Sequence, residues 1–263
     1  MLTSFAGGRL FGATWGEAPP TVLALHGWQR THQDFAGVFA PPSFSAGHGA
    51  LAPDLAGFGA TPPPPGAWGS GDYAESLLPL LDGDELGSPL TVVGHSFGGR
   101  VAVRLARLAP DRIDRLVLTG VPLLDRQGRR ATPALRYRMG RRLHRMGLVG
   151  DDRMEALRQR YGSPDYRAAK GVVRDVFVAL MAETYDDDMA AVTCPVDLVW
   201  GADDDQVPLE VAERAVGLFP NATLSVLPGV GHLTPTEDPA ALRRVVLAGL
   251  PGAPASGHPC RRP

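Results

Sequence analysis

The sequence has almost no lysine: Lys170 stands alone among 26 basic residues. It also lacks any imbalance of charge, with a formal net charge of −2. Nucleic-acid binding would need a strongly basic face or domain, so that class of partner is not expected. Two cysteines, Cys194 and Cys260, cannot build a disulfide framework, and such sparse usage fits a reducing compartment. No window reaches the roughly 18 apolar residues of a membrane span, and the N-terminus lacks the basic-then-apolar order of a secretory signal. These absences read as a soluble cytoplasmic chain without stable membrane association. No Gly-x-Gly-x-x-Gly follows a strand and no phosphate-binding loop occurs, so no organic cofactor is expected. Asp186-Asp187-Asp188 and Asp203-Asp204-Asp205 have neither calcium-loop spacing nor a histidine beside them; they read as solvated acidic runs, with no metal.

What is present is ordinary globular material. Hydrophobic residues make up 44 % and charged residues 21 %, which rules out a disordered chain, a collagen-like repeat and a coiled coil. At 263 residues one core is near its size limit, so a single large domain with an insertion is favoured over two unrelated domains.

Short apolar runs alternate with helical stretches, the pattern of a parallel sheet wound with helices. The runs are Thr21–Leu25, Ala50–Ala52, Leu90–Gly94, Ile113–Thr119, Val196–Trp200 and Thr223–Leu227. Helices are expected near 31–39, 72–81, 97–108, 209–218 and 239–250, the third with Val101, Leu105 and Leu108 on one face. After Gly120 the character changes, and Arg126 to Arg160 holds eleven arginines against three acids. We read 121–191 as a helical insertion that splits a core of 1–120 and 192–250, and 251–263 as a disordered tail. Arg138, Arg141, Arg142 and Arg145 share a helix face and form a basic stripe that reads as solvated. The opposite face, Leu135, Met139, Leu143 and Met146, is expected to close a pocket.

The most informative segment is Gly94-His95-Ser96-Phe97-Gly98-Gly99, between an apolar strand and an amphipathic helix. A Gly-x-Ser-x-Gly in that context is a nucleophile elbow, a turn so tight that its flanking positions must be small. It lifts Ser96 to the carboxyl end of the sheet, with the Phe97 N–H pointing from a helix N-terminus toward the place where an oxyanion would form. A second donor is expected from the loop after an earlier strand, where His26-Gly27-Trp28 aims the Trp28 N–H inward. His26 itself is read as a brace for that backbone. Serine needs a base, and the base an orienting acid. Gly201 to Pro208, straight off one strand, and Gly231-His232-Leu233, soon after the next, supply them at the same end of the sheet. Ser96, Asp204, His232 is the resulting chain order.

With Asp54-Leu55-Ala56-Gly57-Phe58-Gly59 added, these motifs resemble the α/β-hydrolase superfamily over about Pro20 to Leu250. The resemblance implies a mostly parallel eight-stranded sheet flanked by helices, with a helical cap or lid inserted after strand 6. It selects Asp204 over Asp203 and Asp205 as the acid; Asp125, beyond the sixth strand, is an alternative that reads as a surface carboxylate near Arg126 or Arg129. It also implies a serine hydrolase that passes through an acyl-enzyme. Trp28, Phe58 and Trp68 suggest an apolar slot for a small or medium carboxylic ester, with carbon–carbon and other acyl substrates open to the same triad. Arg100, following the elbow, also resembles a menaquinone-synthesis lyase that holds a polyanionic substrate. A ligand sensor with slow turnover would keep the same residues. Haloalkane dehalogenases and epoxide hydrolases carry Asp where Ser96 stands, which argues against both.

Overall fold

The computed structural model describes residues 2–40, 44, 47–124 and 135–250. Asp125, Arg126, Arg129, Arg130, Cys260 and the tail 251–263 lie outside the described residues, as do the side chains of Leu135, Arg136, Arg138 and Arg141. The described residues fall into two compact units, one drawn from 1–62, 70–124 and 184–263, the other from 63–69 and 125–183.

The first unit is built on an eight-stranded sheet of β1 (Thr3–Phe5), β2 (Leu10–Gly16), β3 (Val22–Leu25), β4 (Gly49–Asp54), β5 (Thr91–His95), β6 (Arg115–Thr119), β7 (Val196–Gly201) and β8 (Ala222–Leu227). Their order is β1-β2-β4-β3-β5-β6-β7-β8. From β4 to β8 every pairing is parallel, whereas β2 runs antiparallel to both β1 and β4. The central strands β3 and β5 are buried at every position, which is why they read as unbroken apolar runs rather than alternating ones. Along β3, Val22 and Ala24 face one layer while Leu23 and Leu25 face the other. Val22, Ala24, Ala52, Val93, Val117 and Val199 join Phe35, Phe39, Leu242 and Val246 in one core cluster. It includes residues of α1 (Ala36–Phe39) and α11 (Pro239–Ala248).

The hairpin β1–β2 was not expected from the sequence. Its strands carry Gly12 and Gly16 and little alternation, so the pattern is weak, yet Gly12 lets β2 approach β4 to where a methyl group would strike the Ala52 carbonyl. In α3 (Phe97–Leu108), Val101 and Leu105 are fully buried, but Leu108 is 46 % exposed because it is the last helical residue and has run past the sheet. The first unit's remaining helices are α2 (Ser70–Asp82), α8 (Asp186–Ala191), α9 (Leu209–Val216) and α10 (Thr234–Glu237).

Of the acidic run 186–188, only Asp186 and Asp187 are solvated. Asp188 is buried, accepting from Arg104 and, at 2.8 Å, from Arg107, because the third residue of α8 turns toward α3. Arg104 also donates to the Thr184 carbonyl at 3.1 Å and lies 5.0 Å from the Tyr185 ring centre.

The second unit is helical: α4 (Leu135–Arg145), α5 (Asp151–Tyr161), α6 (Pro164–Ala168) and α7 (Gly171–Leu180). Helix α4 meets α5 through Gly140, which is buried against Leu157 so closely that a methyl group there would overlap it. Met139 is 59 % and Met146 62 % exposed, and Leu143 is half-buried, so this face of the helix is not core within its own unit. The helix rotates to bury its smallest residue, which permits the closest approach. Arg142 and Arg145 are exposed, in keeping with a solvated basic face. Arg174 on α7 grips Glu155 on α5 with two bonds of 2.8 and 3.0 Å. Together with Arg158 and Gln159 it holds the Glu155 carboxyl down at about 2.

Candidate active site

The chain makes β3, then β4 on one side of it, then β5 on the other. In an open parallel sheet this reversal opens a crevice at the strands' carboxyl ends. Leu25 pairs with Gly94 across the switch, so the segments that follow, 26–28 and 96–97, emerge side by side.

Ser96 sits between β5 and α3 with φ 50° and ψ −113°, a conformation that L-residues rarely adopt. The turn is held because the Ser96 N–H donates to the Thr119 carbonyl at 2.9 Å, while Gly99 N–H folds back to the Ser96 carbonyl at 3.0 Å. Two glycines make room for it. A methyl group on Gly94 would lie 2.5 Å from the Gly99 Cα, and one on Gly98 2.1 Å from the Leu25 carbonyl oxygen. The serine is half-buried. Phe97 opens α3, so its N–H is one of the unpaired donors at the positive end of a twelve-residue helix.

His26 and the segment after it are tightly tied. The Leu55 N–H donates to His26 Nε2 at 2.9 Å, so the proton sits on Nδ1, which donates to the Gly27 carbonyl at 2.8 Å. Burial lowers the pKa of this ring, which keeps it neutral. Both ring nitrogens of His26 thus bond backbone groups, while the ring stands edge-on to Phe58 at 5.7 Å. Trp28 packs edge-on against Phe58 at 5.0 Å and Phe97 at 5.6 Å, making a half-open aromatic wall. Phe58 is carried on the loop 55–61, fixed by Asp54, whose carboxylate accepts from the His32 N–H and the Ala60 N–H.

Asp204 and His232 meet at 2.8 Å, Oδ2 to Nδ1, and both are buried. The other aspartate oxygen accepts the N–H groups of Gln206 at 2.9 Å and Val207 at 2.7 Å, which orients the carboxylate. Asp203 and Asp205 are exposed. Trp200 on β7 donates its indole N–H to the Val207 carbonyl and closes this loop. Gly201 lets the two loops touch, as a methyl group there would lie 2.2 Å from the Val230 carbonyl oxygen. Gly120, at φ +59° just past β6, comes so near the pair that a methyl group would stand 3.0 Å from the His232 ring. Thr119 holds the Ser96 N–H and Gly120 adjoins the Asp204–His232 pair, so the serine backbone and the pair both lie against the end of β6.

Arg100 is one turn into α3, where its Nε donates to the Pro122 carbonyl at 3.1 Å and its guanidinium lies 5.5 Å from the Tyr185 ring centre. Trp68 belongs to the second unit. Among the described residues no cluster of three or more metal-ligating side chains occurs, and no helix is long and apolar enough to cross a membrane. Gly120, Trp200, His95 and Glu237 were not singled out from the sequence. The available signals were a glycine closing an apolar strand and a histidine ending another.

A mostly parallel eight-stranded sheet with a serine turn at its switch point has the layout of an α/β-hydrolase. The chain belongs to the alpha/beta hydrolase family, whose model matches residues 22–245. It is an enzyme of the hydrolase class. A pimeloyl-[acyl-carrier protein] methyl ester esterase of Aromatoleum aromaticum is 29 % identical, covering 88 % of this chain and 99 % of its own length. A 2-hydroxy-6-oxononadienedioate/2-hydroxy-6-oxononatrienedioate hydrolase of Cupriavidus pinatubonensis is 26 % identical, covering 88 % and 87 %. Among solved structures, a thermophilic esterase from Thermogutta terrifontis superposes with a TM-score of 0.66 at 23 % identity, over 94 % of this chain and 96 % of that one, a likeness of fold.

Proposed function

We propose that this chain is a serine hydrolase acting on a small or medium carboxylic ester through an acyl-enzyme. His232 Nε2 takes the Ser96 hydroxyl proton as Oγ attacks the carbonyl carbon. The tetrahedral oxyanion is received by the N–H groups of Phe97 and Trp28. Collapse breaks the bond to the alkoxide, which leaves with the proton returned by His232. Water, deprotonated by the same ring, then attacks the acyl carbon and releases the acid and Ser96. Asp204 fixes the base's tautomer and stabilises its charged form.

The observation that carries the reading is the buried 2.8 Å bond between Asp204 and His232 Nδ1, which commits that nitrogen as donor and leaves Nε2 as the base. An ester is preferred because the Trp28–Phe58–Phe97 wall is apolar, and because the Aromatoleum relative is named as a methyl ester esterase. Arg100 donates to the Pro122 carbonyl and lies against the Tyr185 ring, contacts that fit a structural role better than the lyase reading.

A fluorophosphonate probe followed by peptide mapping tests the proposal, alongside hydrolysis of p-nitrophenyl acetate and butyrate. Stoichiometric labelling of Ser96 in the wild type, lost in His232→Ala, is the expected result. Full turnover by Ser96→Ala on every ester that the wild type cleaves would end it.

A further inference from the structure

The backbone that carries His232 is gripped from two sides by groups that the mechanism above does not use. On one side stands His95, the last residue of β5 and the neighbour of Ser96 in the chain. It is 1 % exposed, and its Nε2 lies 3.0 Å from the His232 carbonyl oxygen. An oxygen acceptor there requires the proton on Nε2. Nδ1 is then a bare acceptor, buried and without a hydrogen-bond partner among the described residues. That edge of the ring abuts the segment after β3, where a methyl group on Gly27 would lie 2.8 Å from Nδ1. The His95 and His232 rings stand 5.0 Å apart.

On the other side Glu237, at the end of α10, receives the Gly231 N–H on Oε2 at 2.5 Å and the Leu233 N–H on Oε1 at 3.2 Å. One backbone polar group on each of three successive residues is thus fixed: the N–H of 231, the carbonyl of 232 and the N–H of 233. Strand β8 supplies none of these bonds. A buried imidazole with one unsatisfied nitrogen is a poor choice for filling space, since an apolar ring would fill it without that penalty. What the imidazole alone offers here is a donor for His232 on a flat ring thin enough to lie against Gly27.

We infer that His95 and Glu237 are positioning residues that brace the His232 backbone from opposite sides, His95 also setting the distance between the base loop and the Trp28-bearing loop. The inference rests on His232 serving as the base for Ser96. Neither residue touches substrate. Each acts through the placement of the imidazole, so its loss lowers kcat and the rate of Ser96 phosphonylation while leaving KM nearly unchanged.

The test compares His95→Phe, His95→Gln and Glu237→Ala with wild type, with Ser96→Ala and His232→Ala run in parallel. A misplacement of about 1 Å is worth roughly 100-fold, so a fall in kcat of about 30-fold or more is expected for His95→Phe, with KM within about threefold. Glutamine, which keeps an N–H donor, should recover most of it. Gly27→Ala should be impaired alone but add nothing in a His95→Ala background, where the ring it strikes is gone. If His95→Phe fails to fold, Glu237→Ala carries the test from an exposed position, with about a tenfold fall in kcat expected. Wild-type kcat in folded His95→Phe, or in Glu237→Ala if only that variant folds, would overturn the brace. Wild-type turnover in Ser96→Ala or His232→Ala would instead overturn the underlying reading.

Discussion

Trp200 donates its indole N–H to the Val207 carbonyl at 2.8 Å, while the Val207 N–H donates to Asp204 at 2.7 Å. One residue therefore couples a fully buried strand tryptophan to the carboxylate facing His232. In Trp200→Phe the buried carbonyl loses its donor, at a cost of about 1–2 kcal/mol. We expect that loss in a denaturant titration, with a several-fold fall in kcat as the Asp204 loop loosens. A variant with wild-type stability would show that the bond contributes nothing.

Gly120 stands against the His232 ring with a positive φ. Gly120→Ala adds backbone strain and a methyl group that crowds the ring by a few tenths of an ångström, so kcat should fall by about tenfold while the far-UV spectrum is kept. Steady-state kinetics with p-nitrophenyl butyrate would measure it. An unchanged kcat would mean that the imidazole has slack.

The pairing of Asp188 with Arg104 and Arg107 predicts an asymmetry within three neighbouring acids. Asp188→Ala leaves Arg104, which is mostly buried, without its carboxylate and should cost about 3 kcal/mol. The exposed Asp187→Ala should stay within about 0.5 kcal/mol of wild type. Paired urea titrations decide it, and equal effects would contradict the burial argument.

Burial, with a smaller contribution from nearby His232, pushes His95 down to about 4. An unfolded histidine titrates near 6.5, so between about pH 6.5 and 4 the unfolded chain holds the extra proton. Stability from this group is complete above that window and is lost as pH falls through it, with a limiting slope of about 1.4 kcal/mol per pH unit. Guanidinium midpoints at pH 7, 5.5 and 4.5 should decline less steeply in His95→Gln. Parallel curves would show that His95 does not hold its neutral form in the fold.

The central strands were legible because burial on both faces leaves an apolar run, and because glycine must flank a turn as tight as the one at Ser96. The family resemblance that singled out Asp204 from its neighbours picks the carboxylate that meets His232. Where sequence reading failed, the deciding contact was distant along the chain. Asp188 looks like any solvated acid until Arg104, 84 residues away, closes on it. Met139 and Met146 look like core until Gly140 takes the place against α5. The β1–β2 hairpin has too little alternation to announce itself, and it is defined by its partner β4. His95 fills the unspecified position of the Gly-x-Ser-x-Gly turn and so draws no notice there, although a histidine ending a fully buried strand must find a polar partner somewhere.

The backbone of Ser96 carries a further consequence. A residue held at φ 50° and ψ −113° is conformationally expensive for any side chain but glycine, whatever chemistry it performs. Variants enriched purely for heat tolerance should therefore drift toward glycine at 96, while variants enriched for turnover should not. At this one position the two kinds of selection pull apart, and a library meant to toughen the enzyme should leave it unmutated.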